Sequence, residues 1–368
     1  MKILCTRENL LYGVQVVHRA VSSKPNQPIL SGILLNTKNN RLYLSATDLE
    51  LGINCSIPVQ VVEEGSAVLP AKIFSEIVRR LPDTMIDLEL IPGTKTLTVN
   101  YNSSQISING MHPEEFPVIP EIDNNLNLIL KAAVFKNMVK QVSFSTAVDE
   151  NRPIFTGILV VVENDTLKMI ATDTHRLAYR TGIIDSSITS SWQSIIPAKA
   201  LIEVSRLIQE ENESLQIILT DNQVLFRFGD ISLITRLIEG QFPNYKQVIP
   251  ASCKTKIRIP TKALLEAVER ASLLAREGSN VIKIKTQGNT LIITSSSQDL
   301  GKVYEEIDIE IQGEETQIAF NSRYLIDVLK VIDSEEILME LTGSLSPGVL
   351  RPVETSNYLY LILPVRLN

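Results

Sequence analysis

The chain of 368 residues is long enough for two or three separate hydrophobic cores. Its 44% hydrophobic and 21% charged content is that of a globular protein, and with no apolar run of about 18 residues a helical membrane span is excluded. The net charge of −7 counts against a nucleic-acid partner only as a sum, so the placement of the charge decides that question.

The opening, "MKILCTRENLLYG", lacks the apolar core and cleavage site of an export signal, and none is expected. A helical pattern follows in "TRENLLYGVQVVHRAV", then strand patterns in "QPILSGILL" (27–35) and "LYLSATDLEL" (42–51). "LPAKIFSEIVRRL" (69–81) reads as an amphipathic helix. Phe74, Ile77, Val78 and Leu81 make one stripe, and Lys72, Glu76 and Arg79 another. Further strands rich in Val, Ile and Leu, broken by turn signals such as "PGT", lead to "EEFPVIP" (114–120).

The same order then returns. "LKAAVFKNMVKQVSF" is a helix, "RPIFTGILV" (152–160) and "LKMIATDTHRL" (167–177) are strands, "IPAKALIEVSRLI" from Ile196 is a helix, and "GQFPNYKQVIP" (240–250) closes the series. The two strand segments stand 125 residues after their counterparts in the first copy, with Pro28 matching Pro153 and Gly32 matching Gly157. A third, weaker copy runs through "PTKALLEAVERASLLA", "LIITSSSQDLG" (291–301) and "AFNSRYLIDVLKVI" from Ala319 to the terminal "YLYLILPVRL". Similarities kept in one order indicate a triplicated α+β unit. The stretches "NLNLILK" and "ASCKTKI" are the expected boundaries, giving domains 1–124, 125–252 and 253–368.

The second helix of each repeat carries a base, an acid and a base at i, i+4 and i+7. These are Lys72/Glu76/Arg79, Lys199/Glu203/Arg206 and Arg323/Asp327/Lys330. The six helical segments, 6–24, 72–81, 130–147, 199–210, 261–277 and 321–333, hold 16 Lys and Arg against 9 Asp and Glu. They carry +7 and leave −14 on the rest. Solvation alone accounts for most charged helix faces taken singly. A basic excess repeated in register on an acidic protein points instead to a polyanion. Helices about 10 Å thick packed about 8–10 Å apart leave almost no bore in a circle of six, whereas twelve leave about 20–28 Å, against a B-form duplex on the order of 20 Å wide. Two chains can enclose a duplex. One cannot.

The segments "ATDTHRLA" (171–178), "FPNYKQVIP" (242–250) and "YLILPVRL" (360–367), with the threefold organisation, are similar to the bacterial DNA polymerase III β subunit family, the sliding clamps. The resemblance covers the whole chain. It implies a head-to-tail dimeric ring of three similar DNA-clamp domains per chain, with helices lining the channel and antiparallel sheets outside. It also implies a cytoplasmic, non-catalytic processivity factor in DNA replication. Its partners would be double-stranded DNA without sequence preference, a polymerase III catalytic subunit, a clamp loader, and other polymerases and repair proteins that carry clamp-binding peptides.

Candidate DNA-facing residues are Lys24, Lys72, Arg79, Arg80, Lys136, Lys140, Arg152, Lys199 and Arg206, which would meet phosphates and read no bases. Pairing of Lys72 and Arg79 with Glu76 on a plain helix surface remains the alternative. The resemblance places a peptide groove at Phe155, Gly157, Thr172, Thr174, His175, Arg176 and Leu177, with Pro243, Gln247 and Val248. The third repeat adds Asn321, Tyr324, Leu361, Ile362, Leu363, Pro364, Val365, Arg366 and Leu367. A buried last strand is the competing, and compatible, reading of "YLYLILPVRL". Ile106 and Ile108 of one chain are expected near Leu273 and Leu274 of another.

Several positions depart from the family pattern. Thr174 stands where glycine is usual, Gln247 where arginine is, and Ser279 where the position is often aromatic. "LPVRL" replaces a methionine-rich ending, and Asn368 extends it.

The three cysteines, Cys5, Cys55 and Cys253, suit buried thiols in a reducing compartment. Asp173 and His175 could form an acid–base pair. The chain nevertheless has three histidines, no metal-ligand spacing, no phosphate-cradling glycine loop and no nucleophile elbow, so no catalysis, metal or cofactor is expected. A ring-shaped scaffold without DNA stays open.

Overall fold

The computed structural model describes residues 1–22, 24–120, 126–149, 151–185, 191–209, 213–276 and 280–366. Ser279, Leu367 and Asn368 lie outside them. The helices are α1 (Arg7–Val17), α2 (Ala71–Arg80), α3 (Ala132–Val142), the short α4 (Pro153–Thr156), α5 (Ala198–Leu207), α6 (Thr261–Ala275) and α7 (Ser322–Leu329). Six of the seven fall on the segments expected from periodicity, with trimmed ends. One expectation is corrected: each repeat opens on a strand, and the helix follows it. Lys2–Thr6, Leu126–Lys131 and Thr255–Pro260 are these strands, so each of the two expected boundary stretches runs into a paired strand.

The chain divides into two compact units. The first comprises Met1–Ala133 and Glu203–Leu237, the second Val134–Ile202 and Ile238–Asn368. In the first, a five-stranded sheet runs Gln60–Glu63, Lys2–Thr6, Met85–Leu90, Thr96–Tyr101, Ser104–Asn109. An eight-stranded sheet runs Leu126–Lys131, Ser214–Leu219, Gln223–Phe228, Ile231–Arg236, Leu51–Pro58, Arg41–Thr47, Gly32–Lys38, Ser66–Pro70. The pairing of Leu51–Pro58 with Ile231–Arg236, in the register Cys55↔Ile231 to Leu51↔Thr235, carries this sheet across two sequence repeats.

In the second unit a nine-stranded sheet runs Trp192–Pro197, Gly157–Glu163, Thr166–Thr172, Arg176–Ile183, Tyr358–Ile362, Gly348–Pro352, Glu336–Leu341, Thr255–Pro260, Glu310–Gly313. Its repeat-crossing pair is Arg176–Ile183 with Tyr358–Ile362, from Arg176↔Ile362 to Arg180↔Tyr358. A four-stranded sheet runs Gly301–Asp308, Thr290–Ser297, Val281–Gln287, Gln317–Asn321. The pairings of all four sheets are antiparallel, which lets short turns join neighbouring strands.

Helix burial follows the stripes. α1 is capped by Thr6, whose hydroxyl accepts from the Asn9 amide at 3.2 Å, and it buries Leu10, Val14 and Val17. Gly13 lets its backbone approach the sheet, since a Cβ there would stand 2.8 Å from Leu44 Cδ1. α2 buries Phe74 and Val78 and leaves Lys72, Glu76, Arg79 and Arg80 exposed. Cys5 and Cys55 are buried as expected, but Cys253 is only half-buried.

Candidate partner groove and nucleic-acid interface

The groove begins with a turn that the chain builds twice. In the second unit, the Thr172 hydroxyl donates to the Arg176 carbonyl at 2.7 Å and accepts from the Thr174 amide at 3.2 Å. Asp173 Oδ1 accepts from the amides of His175 (2.9 Å) and Arg176 (3.1 Å). In the first unit Thr47 and Asp48 make the same bonds to Leu49, Glu50 and Leu51. These are the Asx and Ser/Thr turns that such side chains favour.

From this turn the strand Arg176–Ile183 alternates. Leu177 and Tyr179 join an apolar cluster with Leu159, Val161, Ile170, Ile195, Val349, Leu359 and Leu361, against which Ile154, Ile238, Phe242, Tyr245 and Ile249 pack. Between the turn and the segment 242–248 opens a cavity of about 230 Å³. Of the candidate groove residues, Phe155, Thr172, Thr174, Arg176, Leu177, Pro243, Val248, Leu361 and Leu363 line it, together with Phe242, Asn244 and Tyr245. Those last three were missed, although they stand inside the quoted motif "FPNYKQVIP". Tyr245 stacks on Tyr179 with ring centroids 6.0 Å apart, and burial raises both phenols. The counterpart in the first unit, lined by Thr47, Leu49, Gly52, Pro117, Val118 and Ile119 among others, is about 100 Å³. Its "FPVIP" segment lacks the four residues Asn244–Gln247.

Other expected groove residues take different places. Gly157 is a packing glycine, because a Cβ there would lie 2.4 Å from Ile195 Cγ2. Ile362 is fully buried in the sheet, on the face opposite Leu361 and Leu363. Gln247 is exposed on the turn Tyr245–Gln247, outside the cavity. Asn321 caps α7, its side-chain oxygen accepting from the Arg323 amide at 3.0 Å. Pro364, Val365 and Arg366 also stand away from the lining, and the Val365 amide donates to the Ala319 carbonyl at 2.8 Å. Exposed His175 stacks beside Tyr324, centroids 6.5 Å apart, at the edge of the turn. Leu367 lies outside the described residues.

Arg176 is the most constrained of these side chains. Nε donates to Asp173 Oδ2 at 2.9 Å, Nη1 to Asp327 Oδ2 at 2.6 Å, and Nη2 to the Phe144 carbonyl at 2.6 Å. Burial opposes its charge, yet Tyr360, Asp327 and Asp173 outweigh that and hold the guanidinium above its ordinary value. Asp173 thus commits both oxygens to the turn and to Arg176, which corrects the idea of an Asp173–His175 acid–base pair.

The basic candidates differ in how far they are engaged. In the first unit, Lys24, Lys72, Arg79 and Arg80 are exposed. Arg206 instead bonds Glu203 at 2.7 Å, and the same carboxylate takes Arg19 at 3.0 Å. Arg7, not foreseen, donates to the Arg79 carbonyl at 2.8 Å and adds to this basic corner. In the second unit, Arg152 and Lys199 are exposed, Lys136 is half-buried, and Lys140 reaches Asp333 at 3.4 Å. The third copy of the polar face does not repeat the first, since Asp327 is held by Arg176 and Lys330 by Glu269 at 2.9 Å. Among the described residues no group of His, Cys, Asp and Glu could hold a metal ion, and no helix is long and apolar enough to cross a membrane.

Comparison with known proteins gives one consistent pattern. Residues 1–120, 129–244 and 246–366 match the N-terminal, central and C-terminal domain families of the DNA polymerase III beta subunit. The chain is 37% identical to the beta sliding clamp of Halalkalibacterium halodurans and 35% identical to that of Bacillus subtilis, each match covering 100% of both chains. The crystal structure of the DNA polymerase sliding clamp from Bacillus subtilis superposes with a TM-score of 0.97 at 34% identity, again over 100% of each chain.

Proposed function

The chain belongs to the DNA polymerase III beta subunit family of sliding clamps, and from that premise we propose that two copies close head to tail around duplex DNA. The ring tethers a replicative polymerase, and other replication and repair proteins in turn, through the groove beside Leu177, as a non-catalytic cytoplasmic processivity factor. The three domains of each chain are 1–124, 125–252 and 253–368.

One observation carries the ring. Twice in the chain, the third strand of a repeat's first sheet pairs with the last strand of the next repeat: Leu51–Pro58 with Ile231–Arg236, and Arg176–Ile183 with Tyr358–Ile362. One strand of each kind is left over. Gly301–Asp308 and Ser104–Asn109 both lie at sheet edges. Unpaired edges are templates for another chain, and a heterologous pairing that closes makes a ring. Pairing Gly301–Asp308 of one protomer with Ser104–Asn109 of a second completes the series in both directions. Exposed Leu273, Leu300 and Tyr304 beside the first edge, and half-buried Ile106 on the second, supply apolar surface for the contact. Ile108, 5% exposed, already belongs to its own protomer's core, and Leu274 is half-buried.

DNA is held by topology, with the exposed bases of α2 and α5 giving weak, salt-sensitive contacts that permit sliding. The test is retention on DNA. Protein loaded on a nicked circle should stay through gel filtration and leave when the circle is cut to a linear duplex. Equal loss from both forms would reject encirclement.

A further inference from the structure

The turn at Thr172–Leu177 and its counterpart at Thr47–Gly52 share their backbone hydrogen bonds, but the residue at the strand entrance differs. It is Arg176 in one and Leu51 in the other. Only the arginine copy borders the larger cavity. Arg176 cannot serve there as a free donor, because its side chain is 10% exposed and each nitrogen is engaged. Its plane lies over the Tyr324 ring, 4.4 Å from the centroid, and over Phe144 at 5.5 Å. Tyr324 in turn stacks beside His175, and its carbonyl accepts from the Tyr360 hydroxyl at 2.9 Å. The guanidinium therefore ties the turn, the segment just after α3, and α7 together.

We infer that Asp327, which stands outside the lining of the groove cavity, is a positioning residue for the groove: its carboxylate fixes Arg176, and Arg176 fixes the Tyr324–His175 rim against the Thr172–Leu177 turn. The acid read from sequence as part of a DNA-facing pattern serves the partner site instead. Without it, Arg176 keeps Asp173 and the Phe144 carbonyl but has a free Nη1 at a half-open edge. The guanidinium plane then turns toward water, and the Tyr324 ring loses its cationic stacking partner. Charged hydrogen bonds at a poorly solvated site are the interactions whose loss is felt most.

The inference rests on the groove reading, and the experiment separates the two. A fluorescein-labelled peptide carrying the clamp-binding segment of a polymerase III catalytic subunit is titrated with the full-length protein and three variants. Asp327→Ala should bind about tenfold more weakly and Asp327→Asn, which keeps an acceptor for Nη1, about threefold. Lys330→Ala breaks the Lys330–Glu269 pair on the neighbouring stretch and should bind as the unaltered protein does. The imidazole resonances of His175, one of three histidines, should move in Asp327→Ala and stay in Lys330→Ala. If Asp327→Ala fails to fold, Asp327→Asn, nearly isosteric, decides alone. Unchanged affinity in a folded Asp327 variant, or an equal loss in Lys330→Ala, overturns the inference. No binding by the unaltered protein would overturn the groove reading, and this inference with it.

Discussion

Leu49 and Thr174 occupy the same point of the same turn, one in each unit, with φ of 77° and 79°. Neither is glycine, and a β-branched threonine is poorly suited to left-handed backbone. Thr174→Gly should therefore raise stability by about 1 kcal/mol, the steric relief outweighing glycine's added unfolded-state entropy. Leu49→Gly should gain less, because leucine is unbranched at Cβ. Thermal unfolding of both variants checks the order, and a lower midpoint for Thr174→Gly would rule out strain at this turn.

Assembly has a direct readout. Sedimentation at micromolar concentration should give twice the chain mass, and Leu273→Asp combined with Tyr304→Asp should halve it with the fold retained. Both side chains are more than half exposed in the single chain, so their replacement costs the monomer little. A dimer that survived both changes would place the contact elsewhere.

For the DNA path, Lys72, Arg79 and Arg80 are the cleaner targets, since Arg206 sits on Glu203 and reversing its charge would set two carboxylates against each other. Replacing the three α2 bases by Ala should reduce the salt dependence of DNA contact by up to about three phosphates' worth of slope, with peptide affinity unchanged. A wild-type slope and wild-type processivity would remove α2 from the path.

The chain end separates wall from scaffold. Deleting residues 364–368 leaves Leu361 and Leu363 on the cavity and should weaken peptide binding only modestly. Deleting 363–368 also removes an anchor wall and should cost about 2 kcal/mol or more, at least some thirtyfold in Kd. Calorimetric titration distinguishes them, and equal affinities would show that Leu363 does not touch the peptide.

Thiol chemistry tests burial. Burial pushes Cys5 and Cys55 up to about 12, so neither forms thiolate at pH 8 in the native state. Half-buried Cys253 should react alone with an aromatic disulfide reagent, and all three after denaturation. Two or more equivalents released from the native protein would contradict the packing around Cys5 and Cys55.

Much of this protein is local, and local features are legible in a sequence. The stripe of Phe74 and Val78 and the threefold order of elements follow from period and repeat, whereas the Thr–Asp turns that break the expected strands 42–51 and 167–177 do not stand out from alternation. The pairings that matter most for function are not local. Alternation gives "YLYLILPVRL" two faces, but only its pairing with Arg176–Ile183 decides that Leu361 lines the groove while Ile362 is buried. The same holds for Asp327. Its spacing from Arg323 and Lys330 suggests a solvent-facing triplet, yet its oxygen meets Arg176 at 2.6 Å. A buried guanidinium must find acceptors wherever the fold brings them, and helix periodicity carries no information about which strand will pass in front.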